Sequence, residues 1–131
     1  MITAEHIGKR YGEVEALAAV SIEVHEGELY GLIGPDGAGK TTLFRILTTL
    51  LPPDEGRATV AGMDIAADYR AIRAAVGYMP GRFSLYQDLT VEENLRFFAT
   101  LFGTRLEDNY DLVRDIYVQI EPFRRRRAGR L

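Results

Sequence analysis

Residues Gly34-Pro35-Asp36-Gly37-Ala38-Gly39-Lys40-Thr41 match G-x-x-x-x-G-K-[ST] at every fixed position. That spacing suits a polyphosphate. Glycines at 34, 37 and 39 let a tight bend bring backbone N–H groups against phosphate oxygens with no Cβ between them. The start of the following helix adds its dipole and its unpaired donors. Lys40 is placed to bridge β- and γ-phosphates as a point charge, and Thr41 to offer its hydroxyl to Mg²⁺. Thr42 is positioned to reach the α-phosphate. The whole loop, Gly34, Pro35, Asp36, Gly37, Ala38, Gly39, Lys40, Thr41 and Thr42, is therefore a candidate phosphate site. Such a loop does not choose a base. Tyr11, between Lys9-Arg10 and Gly12, is the best candidate for a face on which adenine stacks. An exposed Tyr beside Gly is more commonly an ordinary turn residue, and the residues alone leave both readings open.

The elements that must position this loop follow from hydrophobic period. Ile2 to Ile7 and Leu17 to Val24 read as strands, the second ending at the turn Glu26-Gly27-Glu28. Leu29 to Ile33, apolar on both faces, reads as a buried strand feeding the loop. Thr41 to Leu51 reads as a helix with Leu43, Leu47, Leu50 and Leu51 on one face, stopped by Pro52-Pro53. Arg57 to Ala61 is an expected short strand, Asp68 to Ala75 a short helix, and Val76 to Met79 a strand ending at Pro80-Gly81. The last third turns helical. Thr90-Val91-Glu92-Glu93 is a capping box, followed by a stripe of Val91, Leu95, Phe98 and Phe102, with Gly103 suited to the C′ position. Thr104-Arg105-Leu106-Glu107 repeats the cap before a second stripe of Leu106, Tyr110, Val113, Tyr117 and Ile120, ended by Pro122. Both stripes read as packing surfaces.

Bulk properties narrow the classes. The chain has 131 residues, 47% of them hydrophobic and 27% charged, as in one soluble globular domain or part of a larger one. With no cysteine, disulfides, Cys-based zinc sites and Cys nucleophiles are excluded. The N-terminus lacks the basic and apolar regions of a signal peptide. No apolar run approaches the ~18 residues that span a bilayer, so a membrane role is expected to come through a partner. Net charge is −3, but the stretch from Glu121 to Leu131 carries +4. Arg124 to Arg127 reads as a solvated segment rather than a nucleic-acid patch, because no aromatic platform accompanies it.

Taken together, Lys9-Arg10-Tyr11-Gly12, Ala16-Leu17, Val20 to Val24, Glu26 to Thr42, Leu51 to Gly56 and Val76 to Pro80 resemble an ATP-binding cassette (ABC) transporter subunit. Leu85 to Leu95 looks most like cassettes that serve drug or polysaccharide exporters with a separate permease. The resemblance implies that Tyr11 is the adenine-stacking aromatic and that Gly34 to Thr42 hold the phosphates of ATP, with Mg²⁺ on Thr41. It implies an α/β P-loop NTPase (ABC ATPase) fold, incomplete: N-terminal β-strands, the phosphate-loop strand and helix, then part of the helical subdomain. Residues 1–84 would be a partial nucleotide-binding core and 85–131 the start of the helical subdomain, ending just before the family's signature. Phe83 to Glu93 would lie near the groove that receives a permease coupling helix. The intact subunit would work as a homo- or heterodimer at the cytoplasmic face of the membrane, coupling ATP hydrolysis to export, with no nucleic acid involved.

This chain departs from the family pattern in two places. Gly81 stands where the family usually has Gln after Tyr-x-Pro, and glycine offers no side-chain ligand; Gln87 lies further on. The signature, the strand with the Mg²⁺-binding Asp and catalytic Glu, the switch His, and the strands flanking the phosphate-loop strand are expected beyond Leu131. No catalytic residue is therefore expected within these residues, and the chain alone is expected to bind nucleotide weakly or not at all and not to turn over. The alternatives are a non-catalytic interaction fragment and a small P-loop kinase or GTPase, against which stands the lack of N-K-x-D and of a D-x-x-G switch outside the loop.

Overall fold

The computed structural model describes residues 1–131, apart from the side chain of Asn109. It divides into two compact units, Met1–Tyr78 and Met79–Leu131.

The first unit is built on an antiparallel sheet. β1 (Ile2–Tyr11) pairs with β2 (Val14–Val24) on one side and with β3 (Glu55–Val60) on the other; β3 then pairs with the short β4 (Met63–Asp64). Strand order is β2-β1-β3-β4. β1 and β2 outrun their expected starts and ends because Tyr11 pairs with Val14 across a two-residue turn. The ladder is irregular at its middle, where His6 and Ala19 take φ of 52° and 49° and the β1–β2 register shifts between Ala4 and Ile7. Such bulges bend the ribbon and sharpen its twist.

Two helices complete this unit: α1 (Lys40–Leu47) and α2 (Tyr69–Ala75). Leu43, Ile46 and Leu47 of α1 join Ala4, Ile7, Leu17, Ala58, Val60, Ile65 and Ile72 in one apolar core. Ile7, Leu43, Ile46 and Ile72 are fully buried, each worth about 1.5–3 kcal/mol by apolar transfer. The buried face of α1 therefore uses Ile46 and not the expected Leu50, which is exposed.

The structure corrects three expected boundaries here. α1 ends at Leu47 with Thr48 as its C-cap, before the prolines: Thr49 turns left-handed at φ 60°, its N–H reaching Ile46 O at 2.9 Å and that of Leu50 reaching Arg45 O at 2.8 Å. This paired-bond ending usually employs glycine. Here Arg73 of α2 holds the strained residue, donating Nε to Thr49 Oγ1 (2.9 Å) and Nη2 to Thr49 O (2.6 Å). Residues 29–33 form no strand. No strand among the described residues lies beside them, and Leu29 and Ile33 are almost wholly exposed while Leu32 packs on the core. Val76–Met79 is likewise extended chain without a ladder. Apolar β-formers make a strand only when an edge is available to pair with.

The second unit contains α3 (Val91–Leu101) and α4 (Tyr110–Ile120), with 3₁₀ turns at Glu107–Asn109, Glu121–Phe123 and Ala128–Arg130. The first capping box forms: Thr90 N–H donates to Glu93 Oε2 at 2.7 Å, and Glu93 N–H donates to Thr90 Oγ1 at 3.2 Å. Gly103 follows α3 with φ 70°. The second box does not open a helix. Leu106 stands at the N-cap of a 3₁₀ turn, and the Glu107 carboxylate pairs with Arg96 at 3.0 Å. Of the first stripe only Val91 is buried, Phe102 is exposed, and the other buried residue of α3 is the polar Asn94. Its side chain accepts from Tyr86 N–H and donates to the carbonyls of Tyr86 and Thr90.

The arginine run has exposed side chains, as expected, but its backbone is fixed. The carbonyls of Arg126 and Arg124 accept from Val91 N–H (3.1 Å) and Glu92 N–H (3.0 Å), and Ala128 is buried. The start of α3 is thus saturated from both sides.

Glu93 accepts from the Thr90 N–H and then from its hydroxyl, and these bonds hold its carboxyl below the ordinary range. Its stabilising contribution is complete above the unfolded value and disappears as pH falls through the lowered native one. Thr90→Ala is expected to cost about 1 kcal/mol in urea unfolding at neutral pH. Glu93→Gln should remove part of the acid-side slope of a stability–pH curve, and an unchanged slope would show that the box contributes nothing.

Candidate functional site

The loop from Gly34 to Gly39 ends directly on α1, so its chemistry is set by how that helix begins. The N-cap is Gly39 in left-handed geometry, φ 83°, and no side chain caps the helix. The first intrahelical donor is Leu43, whose N–H reaches Gly39 O at 2.9 Å. Ala38 N–H turns back to Pro35 O at 3.2 Å. Among the described residues the N–H groups of Gly37, Gly39, Lys40, Thr41 and Thr42 meet no protein acceptor. Five donors converging at the positive end of a helix make a concave site for an anion.

The site is a cleft of ≈ 210 Å³ lined by Asp36, Gly37, Ala38, Gly39, Lys40, Thr41, Thr42 and Ala16. Lys40 folds along the loop and donates Nζ to Gly34 O and Pro35 O, both at 2.7 Å. Gly34 and Pro35 enter through these carbonyls and not as lining. The cationic end therefore sits at the bend itself, and the Thr41 and Thr42 hydroxyls have no protein partner among the described residues. The donor set is one ammonium, five amides and two hydroxyls, with Asp36 the only carboxylate lining the cleft. That chemistry fits a nucleoside polyphosphate, and the hydroxyl and carboxylate oxygens of Thr41, Thr42 and Asp36 are the hard ligands the cleft offers a Mg²⁺ ion carried on it.

Sequence reasoning missed Ala16. A Cβ built on Gly39 would meet Ala16 O at 2.3 Å and Leu17 Cδ2 at 2.8 Å. The backbone of β2 thus presses directly on the start of α1, and only glycine satisfies both the positive φ and the contact. No local signal marks Ala16; the motif demands a glycine at 39 without saying what lies against it.

Tyr11 does not line the cleft. It stands half-exposed at the last position of β1, on the hairpin whose other strand supplies Ala16. Just before it, Lys9 Nζ donates to Asp54 Oδ1 at 2.6 Å, and Arg10 N–H donates to Asp54 Oδ2 at 2.8 Å. Gly81 faces open space, and Gln87 is pinned by its backbone, its carbonyl accepting from Gly129 N–H at 3.0 Å. Among the described residues no three His, Asp or Glu side chains cluster as a metal site, and no helix is long and apolar enough to cross a membrane.

A family profile described as "ABC transporter" matches residues 17–129. The chain is 45% identical over 105 residues to the probable multidrug ABC transporter ATP-binding protein YbhF of Escherichia coli K12, covering 80% of this chain and 18% of that protein. It is 48% identical over 122 residues to the daunorubicin resistance ATP-binding protein DrrA2 of Streptomyces coeruleorubidus, covering 85% and 38%. The chain thus spans well under half the length of these relatives. Among solved structures, the dimeric post-hydrolysis state of the ATP-binding cassette MJ0796 bound to ADP and Pi superposes with TM-score 0.81 at 23% identity, over all of this chain and 63% of that one, which shows the fold.

Gly39→Ala is expected to destabilise the first unit by about 2 kcal/mol or more, since it adds a backbone collision to left-handed strain. Gly37→Ala, at φ 83° with open space around it, should cost about 1 kcal/mol. Urea unfolding of both variants checks the order, and equal costs would mean that the Ala16 contact contributes nothing.

Proposed function

This chain belongs to the ABC transporter family, and from that premise we propose that it is the nucleotide-binding part of an exporter's ATP-binding subunit. Support for export comes from the relatives named for multidrug and daunorubicin resistance. Support for the site comes from one observation above all: five amides left without protein acceptors at the start of α1, beside the Lys40 ammonium.

In this reading Gly34 to Thr42 hold the polyphosphate of ATP. Lys40 exchanges two neutral carbonyl acceptors for anionic oxygens, a gain because charge-assisted bonds are roughly twice as strong. The Thr41 hydroxyl holds Mg²⁺, which when bound neutralises charge building on the phosphoryl oxygens. Tyr11 presents the face on which adenine stacks. The like-folded cassette that carries ADP and Pi agrees with this use of the fold. In the whole protein the subunit would dimerise, contact a permease through the region of Phe83 to Glu93, and hydrolyse ATP at the cytoplasmic side of the membrane.

Hydrolysis needs a base to orient water, and Asp36 is the only carboxylate the cleft offers among the described residues. Titration of the 131-residue chain with Mg-ATP, followed by NMR shifts, is expected to show weak association mapping to residues 34–42. Lys40→Ala should weaken it about tenfold or more, the loss of a hydrogen bond between charged groups. Steady-state ATP turnover should stay at background, and turnover abolished by Lys40→Ala would falsify the expectation that no catalytic residue lies within these residues.

A further inference from the structure

β1 outruns β3. The β1–β3 ladder ends where Gly8 faces Glu55, so Lys9, Arg10 and Tyr11 have a strand neighbour on the β2 side alone. Asp54, the residue just before β3, fills the vacant side. Its own N–H donates to Gly8 O at 2.9 Å, its Oδ1 accepts from Lys9 Nζ at 2.6 Å, and its Oδ2 accepts from Arg10 N–H at 2.8 Å. One residue thereby stitches three consecutive positions of β1 immediately before Tyr11.

We infer that Asp54 is a positioning residue for the base of the nucleotide: it fixes the hairpin tip so that Tyr11 is presented before the base arrives. This rests on the reading of Tyr11 as the base-facing aromatic. The Lys9 side chain is only 11% exposed, so its ammonium needs the carboxylate, and Arg10 is further tied across the hairpin to Glu15 at 3.7 Å. The Lys9 hydrogen bond, then the Arg10 N–H, hold the Asp54 carboxyl below its ordinary value. Asp54 also lies on the segment that leaves α1, whose other end is the phosphate loop. It joins the two parts of the proposed site without touching either ligand group.

A loose hairpin tip must be ordered when a base stacks on it, and that cost falls on the base and not on the phosphates. The probes are Mg-ATP and Mg-tripolyphosphate, which has no base, titrated into the 131-residue chain. Asp54→Ala is expected to raise the dissociation constant for Mg-ATP about five- to tenfold, the size of a lost stacking contribution, and to leave Mg-tripolyphosphate within about twofold. Tyr11→Ala should do the same, and the double variant should lose no more than either alone. Retained tripolyphosphate binding certifies that each variant is folded. Asp54→Asn, which keeps shape and loses charge, should fall between wild type and Asp54→Ala. Equal weakening of both ligands, or additive losses in the double variant, overturns the inference. If wild type binds tripolyphosphate and ATP equally well, Tyr11 is not the base face and the inference fails while the phosphate loop stands. If wild type binds neither, the inference fails together with the proposal that this chain by itself holds ATP.

Discussion

The contact between Gly39 and Ala16 O is the constraint on which the site depends. The helix cannot start where it does unless residue 39 has no Cβ, because the carbonyl of β2 already occupies that space. The contact also sets the hairpin and the phosphate loop in register. β2, which carries Ala16, meets the first turn of α1 through this one backbone approach, and β2 in turn pairs with β1, whose last residue is Tyr11. A glycine at an N-cap forgoes the side-chain oxygen that Ser, Thr or Asp would supply. Here that absence leaves the donors of the first turn free.

The two helix starts in this chain show how different that choice is. At α3 the first donors are all accepted: Val91 and Glu92 by the carbonyls of the arginine run, Glu93 by the Thr90 hydroxyl, Asn94 by Thr90 O. At α1 five amides in and around the first turn are without acceptors among the described residues. The same sequence can cap a helix completely where stability alone is at stake. Its failure to do so at α1, where the loop is glycine-rich and ends in Lys40, is the physical argument for an anionic ligand.

Local features were legible in the sequence, and features that depend on a distant partner were not. The loop, the first capping box and Gly103 at the end of α3 rest on residues a few positions apart, and each has the expected geometry or start. Residues 29–33 have the composition of a strand but form none here, because a ladder also needs an edge, and the neighbours expected for this segment are not among these residues. The end of α1 was misplaced for a related reason. Proline stops a helix from sequence alone, but Thr49 stops it through a left-handed turn that a β-branched residue disfavours. That turn stands because Arg73, 24 residues away, donates to it twice. Asn94 escaped notice because a polar residue within an apolar stripe gives no sign that three backbone groups of the preceding loop await it. The proposal that Tyr11 faces the base rests on the family resemblance alone, since by local criteria an exposed Tyr beside Gly is an ordinary turn residue.

The two units are held by different physics. In the first, ten buried apolar residues from β1, β2, β3, α1, α2 and the turn after β4 form one core, so the sheet and α1 share a common source of stability. In the second, the buried residues among those described are Val91, Asn94, Tyr117 and Ala128, of which only Val91 and Tyr117 bring sizeable apolar side chains. Leu112 and Ile116, on one face of α4, remain 84% and 68% exposed. Order there depends instead on polar closure: the Asn94 amide, the capping box and the arginine-run carbonyls. Hydrogen bonds of this kind contribute about 1 kcal/mol net apiece, and only while every partner stays in place. The residues near Phe83 to Glu93 therefore sit on a scaffold held more by paired polar groups than by buried apolar area, the kind of support from which local opening is drawn. The helix that follows the phosphate loop is anchored in the apolar core through Leu43, Ile46 and Leu47.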